Sequence, residues 1–254
     1  MVEFSVIVPA RFASLRLPGK PLRDVAGKTL IQRTYEAVKT SSATRIVVAT
    51  DDDGISQAVH GFGGEVCLTS GSHQSGTDRV AEAATSLQLD ADDIVVNVQG
   101  DEPDMPGALI DQVVEALVAN PLASVATAAT GLDNPGQFID PAVVKVVTDK
   151  ENFALYFSRA GIPFARNDAE GGADRVPWRL ARRHIGIYAY RVCYLHEFTE
   201  EPITPLENSE RLEQLRALWR GDKIVVVNAR EAPSSGVDTL DDLEAAIRLF
   251  SRSE

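Results

Sequence analysis

Four short runs of β-branched and aliphatic residues, separated by helical stretches, constrain this chain more than any other feature. They are Val6-Ile7-Val8, Arg45-Ile46-Val47-Val48-Ala49-Thr50, Glu65-Val66-Cys67-Leu68 and Ile94-Val95-Val96-Asn97-Val98-Gln99. Short runs that are apolar on both alternating faces belong to strands buried on both sides. Between the first two, Leu30, Thr34 and Val38 fall on one helical stripe, with Ile31 and Tyr35 beside it. Ile55 and Val59 mark a shorter helix before the third run. Strand, helix, strand, helix at this rhythm predicts an α/β fold with a mostly parallel sheet and helices on both faces. Sheets of that kind put their sites at the carboxyl ends of the strands. The polar motifs fall there: Pro9 to Lys20 after the first strand, Asp51 to Asp53 after the second, Gly100-Asp101-Glu102-Pro103 after the fourth.

The order then loosens. Leu122 to Ala129, Val143 to Val147, His184 to Tyr190 and Ile224 to Val227 read as strands, and residues 158–182 as a long loop rich in Arg, Gly and Asp. Thr204-Pro205-Leu206-Glu207 is a capped helix start, and Leu212, Leu215 and Trp219 continue one face from it. Thr239-Leu240-Asp241-Asp242 opens a last helix that Leu240, Leu243, Ile247 and Phe250 make amphipathic. With no repeat or low-complexity linker, residues 1–254 read as one domain.

The loop after the first strand holds Arg11, Arg16 and Lys20, with Gly19 between Pro18 and the lysine. Arg offers forked donors to phosphate oxygens and Lys a mobile point charge, so a cationic loop at a sheet mouth suits a polyphosphate. The chain's net charge is -12, which repels nucleic acid and anionic membranes and makes these local cations stand out. Neither G-x-x-x-x-G-K-[ST] nor G-x-G-x-x-G follows the strand. Asp101 at the mouth of the fourth strand is placed to hold a divalent cation, and Mg²⁺ takes few protein carboxylates alongside phosphate and water. Asp238, between a strand and a capped helix, is the best second carboxylate, and as a rival reading belongs to the helix cap.

His73 to Arg79 precedes a helix, where Ser75, Gly76 and Thr77 offer hydroxyl and backbone donors suited to a base edge or ribose, and Ser75 and Thr77 taken singly read as helix caps. Asp51 to Asp53 reads as a helix N-terminus with solvated charges. Arg159, Arg166, His184 and Tyr188 form a second cluster suited to a small carboxylate. His184 and Tyr188 share a strand face, and His184 is expected to donate to the carboxylate or to a hydroxyl. Cys67 and Cys193 have no metal-ligand or disulfide spacing and read as small buried apolar residues. No signal peptide or membrane span is visible, so a cytoplasmic protein without membrane insertion is expected.

The string Pro9-Ala10-Arg11, then Ser14, then Arg16-Leu17-Pro18-Gly19-Lys20-Pro21 resembles the signature loop of sugar-activating nucleotidyltransferases. Further strings single out the 3-deoxy-manno-octulosonate cytidylyltransferases, or CMP-Kdo synthetases, and appear in that family's order. They are His73 to Asp78, Asn97 to Pro103, Ala154 to Arg159, Arg183 to Tyr188, Pro205 to Glu207, Leu212 to Arg216 and Gly236 to Thr239. The resemblance implies a Rossmann-like nucleotidyltransferase sheet in which about 130–222 forms the sugar-binding and dimerisation subregion of a homodimer. It implies transfer of CMP from CTP to Kdo with release of pyrophosphate, for lipopolysaccharide assembly. By the same resemblance Arg11, Arg16 and Lys20 hold the triphosphate, Asp101 and Asp238 bind Mg²⁺, and Pro9, Ala10, Ser75, Gly76 and Gln99 surround the nucleotide. Arg159, Arg166, His184, Tyr188, Glu213 and Gln214 form the sugar pocket. Two other classes fit parts of the pattern. A glycosyltransferase would lack the cationic loop and would carry a D-x-D motif, which Asp51 to Asp53 matches only after a different strand. A non-catalytic nucleotide binder would have no use for both carboxylates.

Overall fold

The computed structural model describes residues 2–13, 16–73, 75–164, 177–234 and 236–252. The first half runs β1 (Phe4–Ala10), a short 3-10 turn at Lys20–Leu22, β2 (Asp24–Val25), β3 (Lys28–Thr29), α1 (Leu30–Val38), β4 (Arg45–Thr50) and α2 (Asp53–Gly61). It continues with β5 (Glu65–Leu68), α3 (Gly76–Ser86), β6 (Ile94–Val98), α4 (Gly107–Ala119) and β7 (Val125–Gly131). The second half runs α5 (Pro135–Ile139), β8 (Lys145–Thr148), β9 (Ala154–Ser158), β10 (Arg182–Arg191) and α6 (Val192–Glu200). It ends with α7 (Pro205–Glu210), α8 (Gln214–Arg220), β11 (Ile224–Asn228) and α9 (Leu240–Phe250).

The main sheet has the order β11-β7-β10-β6-β1-β4-β5, with β8 and β9 attached through β10. Strands β6, β1, β4 and β5 run parallel, as do β7 and β11. Strand β10 is antiparallel to both of its long neighbours. The period of two along β1 sets the layers: Val6 and Val8 pack with Ile31, Ile55 and Ile110, while Ile7 packs with Val80, Leu195 and Leu215 on the opposite face. A smaller cluster of Leu17, Val25, Leu30, Val237, Leu243 and Ala246 anchors the loop after β1 against α9.

Helix starts follow the local chemistry. Ser75, Thr204 and Thr239 each form a capping box, with Asp78, Glu207 and Asp242 as reciprocal acceptors. Asp52 caps α2 through the Ile55 N–H, so the acidic run is a helix start, but its charges are not all solvated, since Asp51 pairs with the buried Arg79 at 3.0 Å. Helix α4 enters against the end of α1 so closely that a Cβ on Gly107 would overlap the backbone of Thr40 and Ser41. Gly107→Ala is therefore expected to cost about 1–3 kcal/mol. The check is a lower urea midpoint at an unchanged slope.

Three expectations need correction. The helix beginning at Thr204 is not continuous, because Arg211 adopts a left-handed conformation (φ 54°) and splits it into α7 and α8. Leu212 and Leu215 remain buried after the break, but Trp219 turns out to solvent. Cys193 is exposed on α6, whereas Cys67 is buried. The strand placed at Leu122 begins at Val125, since Leu122 lies in the preceding turn and is exposed. Helices α4, α5 and α6 and strands β2, β3 and β9 are additions to the elements read from the sequence. Among the described residues no helix is long and apolar enough to cross a membrane.

Candidate active site

Strand β1 carries the chain to the sheet mouth, where the backbone turns out at Arg11 and returns at Lys20. Gly19 makes that return possible with φ 66°, in the region where L side chains are strained. Buried Leu17 and Pro21 pin the two ends of the return, so Lys20 points inward with its side chain mostly covered. Its Nζ donates to Asp101 Oδ2 at 2.5 Å and to Asp238 Oδ1 at 3.0 Å. The other Asp238 oxygen pairs with Arg16 Nη2 at 2.9 Å. Burial would lower the Lys20 pKa, but the two carboxylates outweigh it and raise the pKa above the ordinary lysine value. Asp101 and Asp238 thus converge on one cation. Among the described residues no group of three or more His, Cys, Asp or Glu side chains could hold a metal.

Two adjoining cavities open at this mouth. The smaller, about 410 Å³, is lined by Pro9, Ala10, Arg11, Arg16, Lys20, Ser75, Gly76 and Gln99, together with Asp101 and Asp238. The larger, about 730 Å³, is lined by Arg159, His184, Tyr188, Glu213 and Gln214. Arg16, Gly76, Gln99, Asp101, Glu213 and Asp238 border both. The residues expected around a nucleotide and those expected around a sugar thus line two adjoining cavities, which overlap at Arg16, Gly76, Gln99 and Glu213 and at the two carboxylates. Arg166 lies outside the described residues. Arg159 lines its cavity with two donors already committed, Nε to Glu210 O at 2.7 Å and Nη1 to Pro141 O at 2.9 Å. Glu213 accepts from Thr77 Oγ1 at 2.5 Å, and burial raises its pKa. Gln214 is buried with its Nε2 unpartnered.

The profile of the cytidylyltransferase family matches residues 5–224. This chain belongs to that family. It is 52% identical over 248 residues to the 3-deoxy-manno-octulosonate cytidylyltransferase of Pseudomonas syringae pv. syringae (strain B728a), covering 97% of this chain and 98% of that one. It is 50% identical over 254 residues to the protein of the same name from Hahella chejuensis (strain KCTC 2396), covering 100% of both. Among solved structures it is similar to CMP:2-keto-3-deoxy-manno-octonic acid synthetase complexed with CTP, at a TM-score of 0.88 and 36% identity, covering 100% of both chains.

Three side chains of this cytidylyltransferase complete the site without having been singled out by their sequence context. Glu102 follows Asp101 and lines the larger cavity, with one oxygen buried and unpartnered. Burial, with Asp101 and Asp104 adding repulsion, lifts its pKa to about 8, so at neutral pH it adds little charge beside the carboxylate pair. Arg183 borders the same cavity and donates from Nη2 to Pro233 O at 3.0 Å. Lys145 is fully buried, and its ammonium donates to Asp140 O, Val143 O and Arg159 O at 2.8, 2.5 and 2.7 Å. All three N–H groups are thereby satisfied by carbonyls from the cavity wall. Lys145→Met strands those carbonyls and is expected to cost about 1–3 kcal/mol. Thermal unfolding would report it, together with a raised KM for the ligand of the larger cavity.

Proposed function

We propose that this cytidylyltransferase transfers CMP from CTP to 3-deoxy-D-manno-octulosonate, giving CMP-Kdo and pyrophosphate. The observation that carries the reading is the junction itself: two carboxylates sharing one ammonium where a cation-rich cavity meets a second, larger one lined by Arg159, His184 and Tyr188. The names of its relatives at 50% and 52% identity support the choice of substrates. In this reading Arg11, Arg16 and Lys20 neutralise the triphosphate, and Pro9, Ala10, Ser75, Gly76 and Gln99 enclose the nucleotide. Arg159, Arg166, His184, Tyr188, Glu213 and Gln214 face the sugar. The anomeric hydroxyl of Kdo attacks the α-phosphorus, and the bond to the β-phosphate breaks in line with it. Positioning and charge neutralisation supply most of the catalysis.

Asp101 and Asp238 suit Mg²⁺, since they already converge on a cation and the ion draws its other ligands from phosphate and water. When bound, Mg²⁺ offsets charge on the phosphates and makes the sugar hydroxyl a better nucleophile. With a triphosphate bound, Arg16 and Lys20 would pair with phosphate oxygens, leaving Asp101 and Asp238 to hold Mg²⁺.

The reading extends to a homodimer. Ile139, Leu155, Phe164, Leu180, Ile203 and Trp219 are exposed apolar side chains within the 130–222 segment, surface that a second copy would cover.

The test is pyrophosphate release with CTP, Kdo and Mg²⁺. Release that requires both substrates and stops with EDTA is expected. Release independent of the sugar, or none at all, would overturn the assignment. A glycosyltransferase would instead consume a nucleotide sugar.

A further inference from the structure

Strand β10 carries two extra residues against β7: Ile185 pairs with Ala128, and the next pair is Tyr188 with Thr127. An insertion of two preserves the alternation, so His184 and Tyr188 stay on one face with ring centroids 5.5 Å apart. The bulge is closed by Thr127, which is fully buried. Its Oγ1 lies 2.7 Å from Ile187 O, 3.3 Å from Ile185 O and 2.9 Å from His184 Nε2.

A threonine hydroxyl has one proton and two acceptor lone pairs. Carbonyl oxygens cannot donate, so an oxygen–oxygen separation of 2.7 Å requires that proton to lie toward Ile187 O. Toward His184 the hydroxyl can then only accept, which puts a proton on Nε2. We infer that Thr127 is a positioning residue that fixes His184 as the neutral Nε2–H tautomer, so that Nδ1 serves the larger cavity as an acceptor for a sugar hydroxyl. This reverses the expectation that His184 donates, and it removes the sugar carboxylate as its partner. The assignment to a sugar hydroxyl rests on the proposed function; the tautomer does not.

The surroundings agree. His184 lines the cavity, and no described residue bonds its Nδ1. Phe157 packs edge-on to the ring at 4.9 Å, and the His184 backbone N–H donates to Val144 O at 2.9 Å, so both ring and backbone are held. Burial, then the Arg183 guanidinium, holds the His184 pKa down to about 3, which keeps the ring neutral. A neutral imidazole with Nε2 protonated has only a lone pair at Nδ1.

The experiment is long-range ¹H–¹⁵N spectroscopy of the imidazoles in the full-length ¹⁵N-labelled protein, with His184 assigned by the signals lost in His184→Asn. The expected pattern is a protonated-type Nε2 and an unprotonated-type Nδ1. Thr127→Ser keeps that pattern; Thr127→Val changes it and raises KM for Kdo about tenfold while KM for CTP stays put. Should Thr127→Val fail to fold, the parent and Thr127→Ser spectra still decide. A protonated Nδ1 in the parent protein, or an unchanged pattern in folded Thr127→Val, overturns the role of Thr127. An unchanged KM for Kdo in His184→Asn overturns the contact with a sugar hydroxyl and leaves the tautomer standing.

Discussion

Lys20→Ala is expected to lower kcat/KM for CTP by about a hundredfold, the value of one charge-assisted hydrogen bond lost from a phosphate site. The same substitution should tighten Mg²⁺ binding measured without nucleotide. The two effects have opposite signs because of where the ammonium sits. It bonds Asp101 and Asp238 together, so a metal that uses both carboxylates must displace it. Removing the ammonium leaves two like charges facing each other, which a divalent cation relieves. KM for Kdo should move little. Steady-state kinetics with each substrate varied at saturation of the other, plus calorimetric Mg²⁺ titration, give both readouts. Equal losses for the two substrates would show that the loop after β1 is not the triphosphate site. Weaker metal binding would show that Asp101 and Asp238 do not act on one ion.

The second large effect is on stability. Arg216 grips Glu207 with two bonds, Nε to Oε2 at 2.8 Å and Nη2 to Oε1 at 2.6 Å, and both side chains are buried. Its Nη1 also donates to Phe198 O and Glu201 O at 3.2 Å. This one guanidinium ties α6, α7 and α8 together across the left-handed break at Arg211. Arg216→Met leaves Glu207 as a buried charge without its partner and is expected to cost about 3–5 kcal/mol. Pairing it with Glu207→Leu should recover much of the loss, since an apolar pair of similar volume replaces a buried ion pair at small net cost. Chemical unfolding of the two variants checks this. A single-variant cost below about 1 kcal/mol would mean that the pair acts as a surface pair does.

Much of this was legible in the chain. The alternation of β1, α1, β4, α2, β5, α3 and β6 is written in local periodicity, and it survives folding because β1 and β6 are buried along their whole length while the edge strand β5 keeps only Cys67 buried. The cationic loop was legible because its charges crowd directly after a strand. The split at Arg211 was not, because arginine carries no turn signal and the left-handed residue is held by a tertiary ion pair. The convergence of Asp101 and Asp238 was expected from the family resemblance and not from spacing, as only sheet order brings the loop before α9 to the end of β6. Lys145 and Thr127 were hidden for a related reason. Each works on backbone carbonyls, and a contact to a carbonyl leaves no trace in residue type. Cys193 misled because a cysteine's usual burial is a tendency of the residue, not of its place on a helix.

The sheet order also has a bearing on how the protein is made. Strand β10 separates β6 from β7, yet it is synthesised after both, with α4, β8 and β9 already behind the ribosome. Until residue 191 has emerged, β6 has a bare edge and β7 has no strand beside it, since β11 comes later still. The nascent chain can settle β1, β4, β5 and β6 early, but it must keep the unpaired edges of β6 and β7 apart from other chains while it waits. His184 and Tyr188 ride on that late strand, so the larger cavity closes only when the sheet itself does. Translational pausing before β10 would then lengthen the exposure of those edges, and its cost would appear as aggregation during synthesis rather than as loss of activity in the finished enzyme.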